Sequence, residues 1–255
     1  MSQGAIKNLP HPEERPGDAG ARLEGRSFLM PPVDAPTTTR WDLVIFDCDG
    51  VLIDSELLSI RADRECLAEC GIELSTEEIL ERYTGISFAG MVADLEARHG
   101  PLPADFADRH RKRLWPLFEQ ELQAIPGVTA ILDSLTCRIC VASSGRPDRL
   151  QHALSLVGLY DRFHPHIFSA TEVPRGKPAP DLFLHAARQI GVAPERCVVV
   201  EDSMPGVAAA VAAGMTVIGF VGASHCRPGD AARLAAHGAI EVIDDMAQLL
   251  PALAR

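Results

Sequence analysis

Asp47 and Asp49 stand two residues apart in Asp47-Cys48-Asp49-Gly50, directly after the apolar run Asp42-Leu43-Val44-Ile45-Phe46. Three later stretches also carry reactive types. Ser143-Ser144-Gly145 follows Ile139-Cys140-Val141-Ala142, Glu201-Asp202-Ser203 follows Cys197-Val198-Val199-Val200, and Lys177 sits in Gly176-Lys177-Pro178. The four acids Asp47, Asp49, Glu201 and Asp202 would repel one another if brought together. A hard divalent cation relieves that, and Mg²⁺ prefers oxygen ligands. A carboxylate can attack a phosphoryl group and form an aspartyl-phosphate. A second carboxyl can protonate the leaving oxygen and then activate water. A lysine and a hydroxyl can hold the equatorial oxygens where transition-state charge gathers.

Each piece alone has an ordinary explanation. Asp-x-Asp-Gly after a strand is a common turn or helix cap. Glu201-Asp202 suits a helix N-terminus. Ser143-Ser144 could cap a helix starting near Pro147, and Lys177 could be a surface lysine. The weight lies in their joint arrival, in this order, at successive strand ends.

The elements that would position them can be read from hydrophobic pattern. Short continuous apolar runs suit strands buried on both faces of a parallel sheet. Besides those above, Ile167-Phe168, Met215–Phe220 and Ala239–Ile243 are candidates. Helical patterns over Pro147–Val157, Asp181–Ile190, Pro205–Ala213 and Asp230–Ala236 separate them. Alternating strands and helices imply an α/β core on a parallel sheet, and ligands then bind outside the carboxyl ends of the strands. One interval breaks the rhythm. Roughly ninety residues separate Asp47 from Cys137, where a crossover needs about a dozen. Helical patterns over Leu57–Cys70, Thr76–Tyr83, Phe88–His99 and Ala104–Leu122 fill it, so 58–124 is expected to be a helical insert. Leu57, Ile60 and Leu67 are expected on a buried helix face, with Cys66 and Cys70 packing at i,i+4 spacing. Residues 1–39 are proline-rich without amphipathic period and are expected to be a disordered tail. Met30 is a possible translation start.

Composition narrows the partners. The net charge of −11 opposes nucleic-acid binding. There is no run of about 18 apolar residues, and hence no expected membrane span. No secretory signal is evident at the N-terminus. Seven cysteines, an odd number with several in apolar runs, suit a reducing cytoplasm rather than a disulfide framework. Cys137 and Cys140 have redox-like spacing, but residues three apart on a strand point to opposite faces. His164-Pro165-His166 reads as a turn, and Arg82 and Arg98 as exposed.

The four motifs resemble those of the haloacid-dehalogenase-like superfamily, from about Trp41 to the C-terminus. The run Asp47–Glu56 is similar to its first motif, Ser143 to the second, Lys177 in Gly176–Asp181 to the third, and Glu201-Asp202-Ser203 to the fourth. The resemblance implies a Rossmann-like three-layer α/β core, 40–57 and 125–255, with an inserted all-helical cap. It implies Asp47 as nucleophile and metal ligand, and Asp49 as general acid/base that ligates Mg²⁺ through its backbone carbonyl. Asp202 would be a further ligand, with Glu201 direct or behind it, and Ser143 and Lys177 would hold the phosphoryl group. Within the superfamily the chain resembles the branch of β-phosphoglucomutases and sugar-phosphate phosphatases. Asp49 favours phosphoryl chemistry over dehalogenation. Mutases carry a histidine where Ser59 aligns, and lysine and arginine where Thr84 and Phe88 stand. The expectation is a Mg²⁺-dependent phosphatase for a small phosphorylated metabolite, in particular a sugar phosphate, with a sugar-phosphate mutase as the alternative. A monomer or weak dimer is expected.

Overall fold

The computed structural model describes residues 40–255. The tail expected over 1–39 and the Met30 start lie outside the described residues. Leu43–Phe46 forms β1, fully buried along its length. Leu43 and Ile45 point into one hydrophobic cluster, and Val44 and Phe46 into another. That is the period-two alternation of a strand covered on both faces.

After β1 come α1 (Glu56–Glu69), α2 (Thr76–Tyr83), α3 (Phe88–His99) and α4 (Phe106–Glu121), then α5 (Val128–Ser134). β2 is Arg138–Ser143, followed by α6 (Pro147–Leu156), α7 (Tyr160–Phe163) and β3 (Ile167–Ser169). Next are α8 (Asp181–Ile190), β4 (Cys197–Glu201), α9 (Met204–Ala212), β5 (Thr216–Phe220), α10 (Asp230–Ala236), β6 (Glu241–Ile243) and α11 (Leu249–Leu253). The sheet is six-stranded in the order β3-β2-β1-β4-β5-β6, and every pairing is parallel. α5, α6, α7 and α11 pack on one face, and α8, α9 and α10 on the other. This is a three-layer α/β sandwich. Chain order reverses at β1, which lies between β2 and β4. That is the switch point where an open parallel sheet offers a crevice.

α1 to α4 share a hydrophobic cluster of their own, built on Ile60, Leu67, Ile79, Leu95 and Phe106 among others. We take them as the cap. α1 begins at Glu56, so it runs across the position where the insert was expected to start. Two cap helices are fixed at their starts by side chains: Ser75 and Glu78 form a capping box on α2, and Ser87 accepts from Gly90 N on α3. Leu57 departs from expectation. It is 39% exposed, whereas Ile60 and Leu67 are buried. The buried positions of α1 are Ile60, Ala62, Asp63, Cys66 and Leu67, all past its first turn, and Leu57 precedes them. Cys66 is buried in the cap cluster with Cys70 packed against it, and Cys140 is buried inside β2. Among the described residues no helix is long and apolar enough to cross a membrane.

Candidate active site

The predicted residues meet at the carboxyl edge of the sheet. Asp47 follows β1, and its backbone N–H donates to Val200 O at 3.0 Å. The chain then turns tightly, with Leu52 N donating to Cys48 O at 2.9 Å and Gly50 N to Ile53 O at 2.8 Å. Gly50 has φ +74°, and a Cβ there would collide with the Asp202 carboxylate and the His225 ring. Only glycine allows the Asp47 loop to lie against the Asp202 loop at that angle.

Lys177 links the two loops. Its Nζ lies 2.9 Å from Asp47 Oδ1 and 2.8 Å from Glu201 Oε2, and 5.1 Å from the Phe183 ring centroid. All three charged groups are buried. Glu201 Oε1 accepts from Ser203 N at 3.2 Å and Ser203 Oγ at 2.6 Å. Ser203 Oγ in turn accepts from Gly206 N and caps α9. Both Glu201 oxygens therefore hold parts of the scaffold. Asp202 Oδ2 lies 3.1 Å from His225 Nε2. At the end of β2, Ser143 Oγ accepts from Gly145 N at 3.0 Å, which leaves its hydroxyl hydrogen to donate elsewhere.

Electrostatics mark the same spot. Burial and then the neighbouring Glu201 push Asp47 up to about 7, against the pull of Lys177. Burial likewise raises Asp202, with His225 offsetting part of it. One oxygen of each of Asp47, Glu201 and Asp202 lies within 4.8 Å of the others. Asp47 Oδ1 and Asp202 Oδ2 are buried, and beyond the ion pairs with Lys177 Nζ and His225 Nε2 neither has a hydrogen bond. Three buried carboxylates crowded this closely, with raised affinities for protons, fit a hard divalent cation.

A family model described as haloacid dehalogenase-like hydrolase matches residues 41–214. The chain belongs to this family. It is similar to 6-phosphogluconate phosphatase of Escherichia coli (strain K12), with 35% identity over 192 residues, 74% of this chain and 87% of that one. Among solved structures it is similar to a haloacid dehalogenase-like protein of unknown function from Agrobacterium tumefaciens. There the TM-score is 0.72 at 44% identity, covering 84% of this chain and 98% of that one. It is also similar to a HAD family hydrolase from Deinococcus radiodurans solved with bound phosphate and sodium. There the TM-score is 0.67 at 38% identity, covering 85% and 96%.

In this haloacid dehalogenase-like hydrolase, a cleft between the sheet edge and the cap carries Asp47, Asp49 and Ser143 on its floor. The cap supplies an apolar wall from Ile60, Ile86, Phe88 and Leu114. Within that wall His110 Nε2 lies 2.9 Å from Asp63 Oδ1. Cap and core touch at Gly85, whose carbonyl accepts from Ser144 Oγ at 3.0 Å. Thr84 Oγ1 donates to Leu80 O at 2.8 Å, and Phe88 packs 4.7 Å from the His110 ring centroid. Neither resembles a phosphate-binding cation. Ser59 lines the cleft but is engaged by Arg149.

Asp49 is held more tightly than its sequence position suggests. Arg149 Nη1 donates to its Oδ2 and Nη2 to its Oδ1, both at 2.7 Å, and Ser55 donates its hydroxyl to Oδ1. Burial works to raise the Asp49 carboxyl, but Arg149 and Ser55 outweigh it and hold the group below its ordinary value. Sequence reasoning missed Arg149, Ser55, His225 and the Asp63–His110 pair. Arg149 left one signal: it is the third residue of α6, and a cation there opposes the helix dipole. Other candidates fall outside the site. Arg82 is exposed, and Arg98 pairs with Asp94 at 2.8 Å on the cap surface. His164 stacks on Tyr160.

Proposed function

We propose that the chain is a Mg²⁺-dependent phosphatase that hydrolyses a small phosphorylated metabolite, a sugar phosphate in particular, through an aspartyl-phosphate on Asp47. One observation carries the reading. The Asp47 carboxylate sits buried at the sheet's switch point, beside the Lys177 cation and the acidic pair Glu201-Asp202. The likeness to a 6-phosphogluconate phosphatase supports a phosphorylated small molecule as substrate.

Asp47 attacks the phosphorus, and the bond from phosphorus to the leaving oxygen breaks. Asp49, protonated once Arg149 no longer holds it as a carboxylate, donates its proton to that oxygen. Asp49, now a carboxylate, takes a proton from water, which attacks the phosphorus of the aspartyl-phosphate. Inorganic phosphate leaves and Asp47 is regenerated. Lys177 Nζ and the free hydroxyl hydrogen of Ser143 hold equatorial oxygens throughout. Asp47, Asp202 and the Asp49 backbone carbonyl would hold a divalent cation, whose positive charge would favour the ionised form of Asp47. Glu201 stands behind them, holding Lys177 and Ser203. The apolar cap wall excludes water from the leaving group side. Ser59, Thr84 and Phe88, standing where mutases carry histidine, lysine and arginine, favour hydrolysis over mutase chemistry.

The test is release of phosphate from p-nitrophenyl phosphate with added Mg²⁺ and with EDTA, for the native chain and Asp47→Asn. Turnover abolished by EDTA and by Asp47→Asn, with the fold retained, is expected. Near-native turnover in Asp47→Asn would defeat the mechanism.

A further inference from the structure

Arg149 belongs to the first turn of α6, where the helix dipole disfavours a cation. Its guanidinium nevertheless lies in the cleft, in a two-point pair with the Asp49 carboxylate. Nη2 also donates to Ser59 Oγ at 3.2 Å. The Phe118 ring supports the group, 5.2 Å from its centroid. With Ser55 added, both oxygens of the residue assigned to proton transfer are engaged. Asp49 serves a leaving oxygen poorly while they remain so. The other cleft arginines differ. Arg111 pairs with Asp108 at 2.7 Å and Arg146 with Asp148 at 3.2 Å, and neither partner has a role in the proposed mechanism. Arg149 alone of the three holds a partner that turnover must release. A guanidinium fork accepts carboxylate or phosphate in the same planar geometry and never loses its charge. The replacement it needs is a second oxyanion, and the substrate can bring one.

We propose that Arg149 selects phosphorylated metabolites that carry a second anionic group, binding that group in place of the Asp49 carboxylate and so releasing Asp49 for proton transfer. This rests on the phosphatase reading and names the substrate class of that site. A sugar-acid phosphate and a sugar bisphosphate share the required chemistry.

The experiment compares kcat/KM of the Mg²⁺-loaded full chain on three open-chain substrates. These are 6-phosphogluconate, glucitol 6-phosphate, which has CH2OH in place of the carboxylate, and glucitol 1,6-bisphosphate. At least one dianchored substrate should exceed glucitol 6-phosphate by about tenfold or more, the worth of one charge-assisted pair, and which one does identifies the anion. In Arg149→Gln that ratio should fall to near one, and Arg149→Lys should keep part of it. Ratios near one in the native chain overturn the proposal. So does an Arg149→Gln variant that slows all three substrates alike and keeps the ratio, since that is a structural role. If Arg149→Gln does not fold, product inhibition of the native chain decides: gluconate should inhibit about tenfold more tightly than glucitol, and equal inhibition overturns the proposal. Turnover of p-nitrophenyl phosphate without discrimination defeats this inference alone. Absence of any turnover defeats the phosphatase reading.

Discussion

Replacing Lys177 by Met separates the two tasks that the proposed mechanism gives one buried cation. Its side chain is 1% exposed, against 6% for Asp47 and 0% for Glu201. Removing one partner of a buried pair leaves uncompensated charge and costs about 3–5 kcal/mol. For a chain of this size that lowers the melting temperature by about 6–20 °C. In the proposed mechanism the same change removes a preorganised donor for the phosphoryl oxygens, which costs about 10²–10³ in kcat. Adding Glu201→Gln removes one of the two stranded carboxylates. Lys177→Met/Glu201→Gln should therefore recover much of the lost stability while kcat stays low. Calorimetry and phosphate release, run on the same preparations, read both. A Lys177→Met variant that melts within a degree or two of the native chain would refute the buried-network account. Recovery of kcat in the double variant would refute the catalytic one.

Two further outcomes are expected. Asp47 has a folded value of about 7 against an ordinary 3.8, so the metal-free native state holds that proton more tightly than the unfolded chain does. Its stabilising contribution is full below pH 3.8 and is lost as pH rises through about 7. With EDTA, the melting temperature should therefore fall between pH 5.5 and 8, and Mg²⁺ should raise it more at pH 8, a trend that thermal scans with and without the ion check. Gly85 has φ +79°, and a Cβ there would collide with Ser203. Gly85→Ala should cost about 1–2 kcal/mol in left-handed backbone strain and lower kcat/KM about tenfold by weakening cap docking, with circular dichroism showing an intact fold.

The core was legible because parallel strands buried on both faces read as short apolar runs, and Leu43–Phe46 and Cys197–Glu201 stop at the candidate site. Asp47, Ser143, Lys177, Glu201 and Asp202 were legible for the same reason: each sits at or near the end of a recognisable element. What escaped depends on contacts that no local spacing encodes. Arg149 reaches Asp49 across 100 residues of sequence. His225 meets Asp202 only because the loop after β5 folds back over the sheet edge. Leu57 was expected inside because helical period alone cannot say where the cap ends. α5, α7 and α11 are short helices whose order comes from packing on the sheet rather than from a sustained period.

The central claim is that phosphate passes through Asp47. Rapid acid quench of the Mg²⁺-loaded chain during turnover, followed by peptide mass spectrometry, tests it directly. One phosphoryl group should appear on the peptide that carries Asp47, be lost on treatment with hydroxylamine, and be missing in Asp47→Asn. A chain that turns over substrate with no such adduct at any quench time, and with Asp47→Asn still active, would contradict the account.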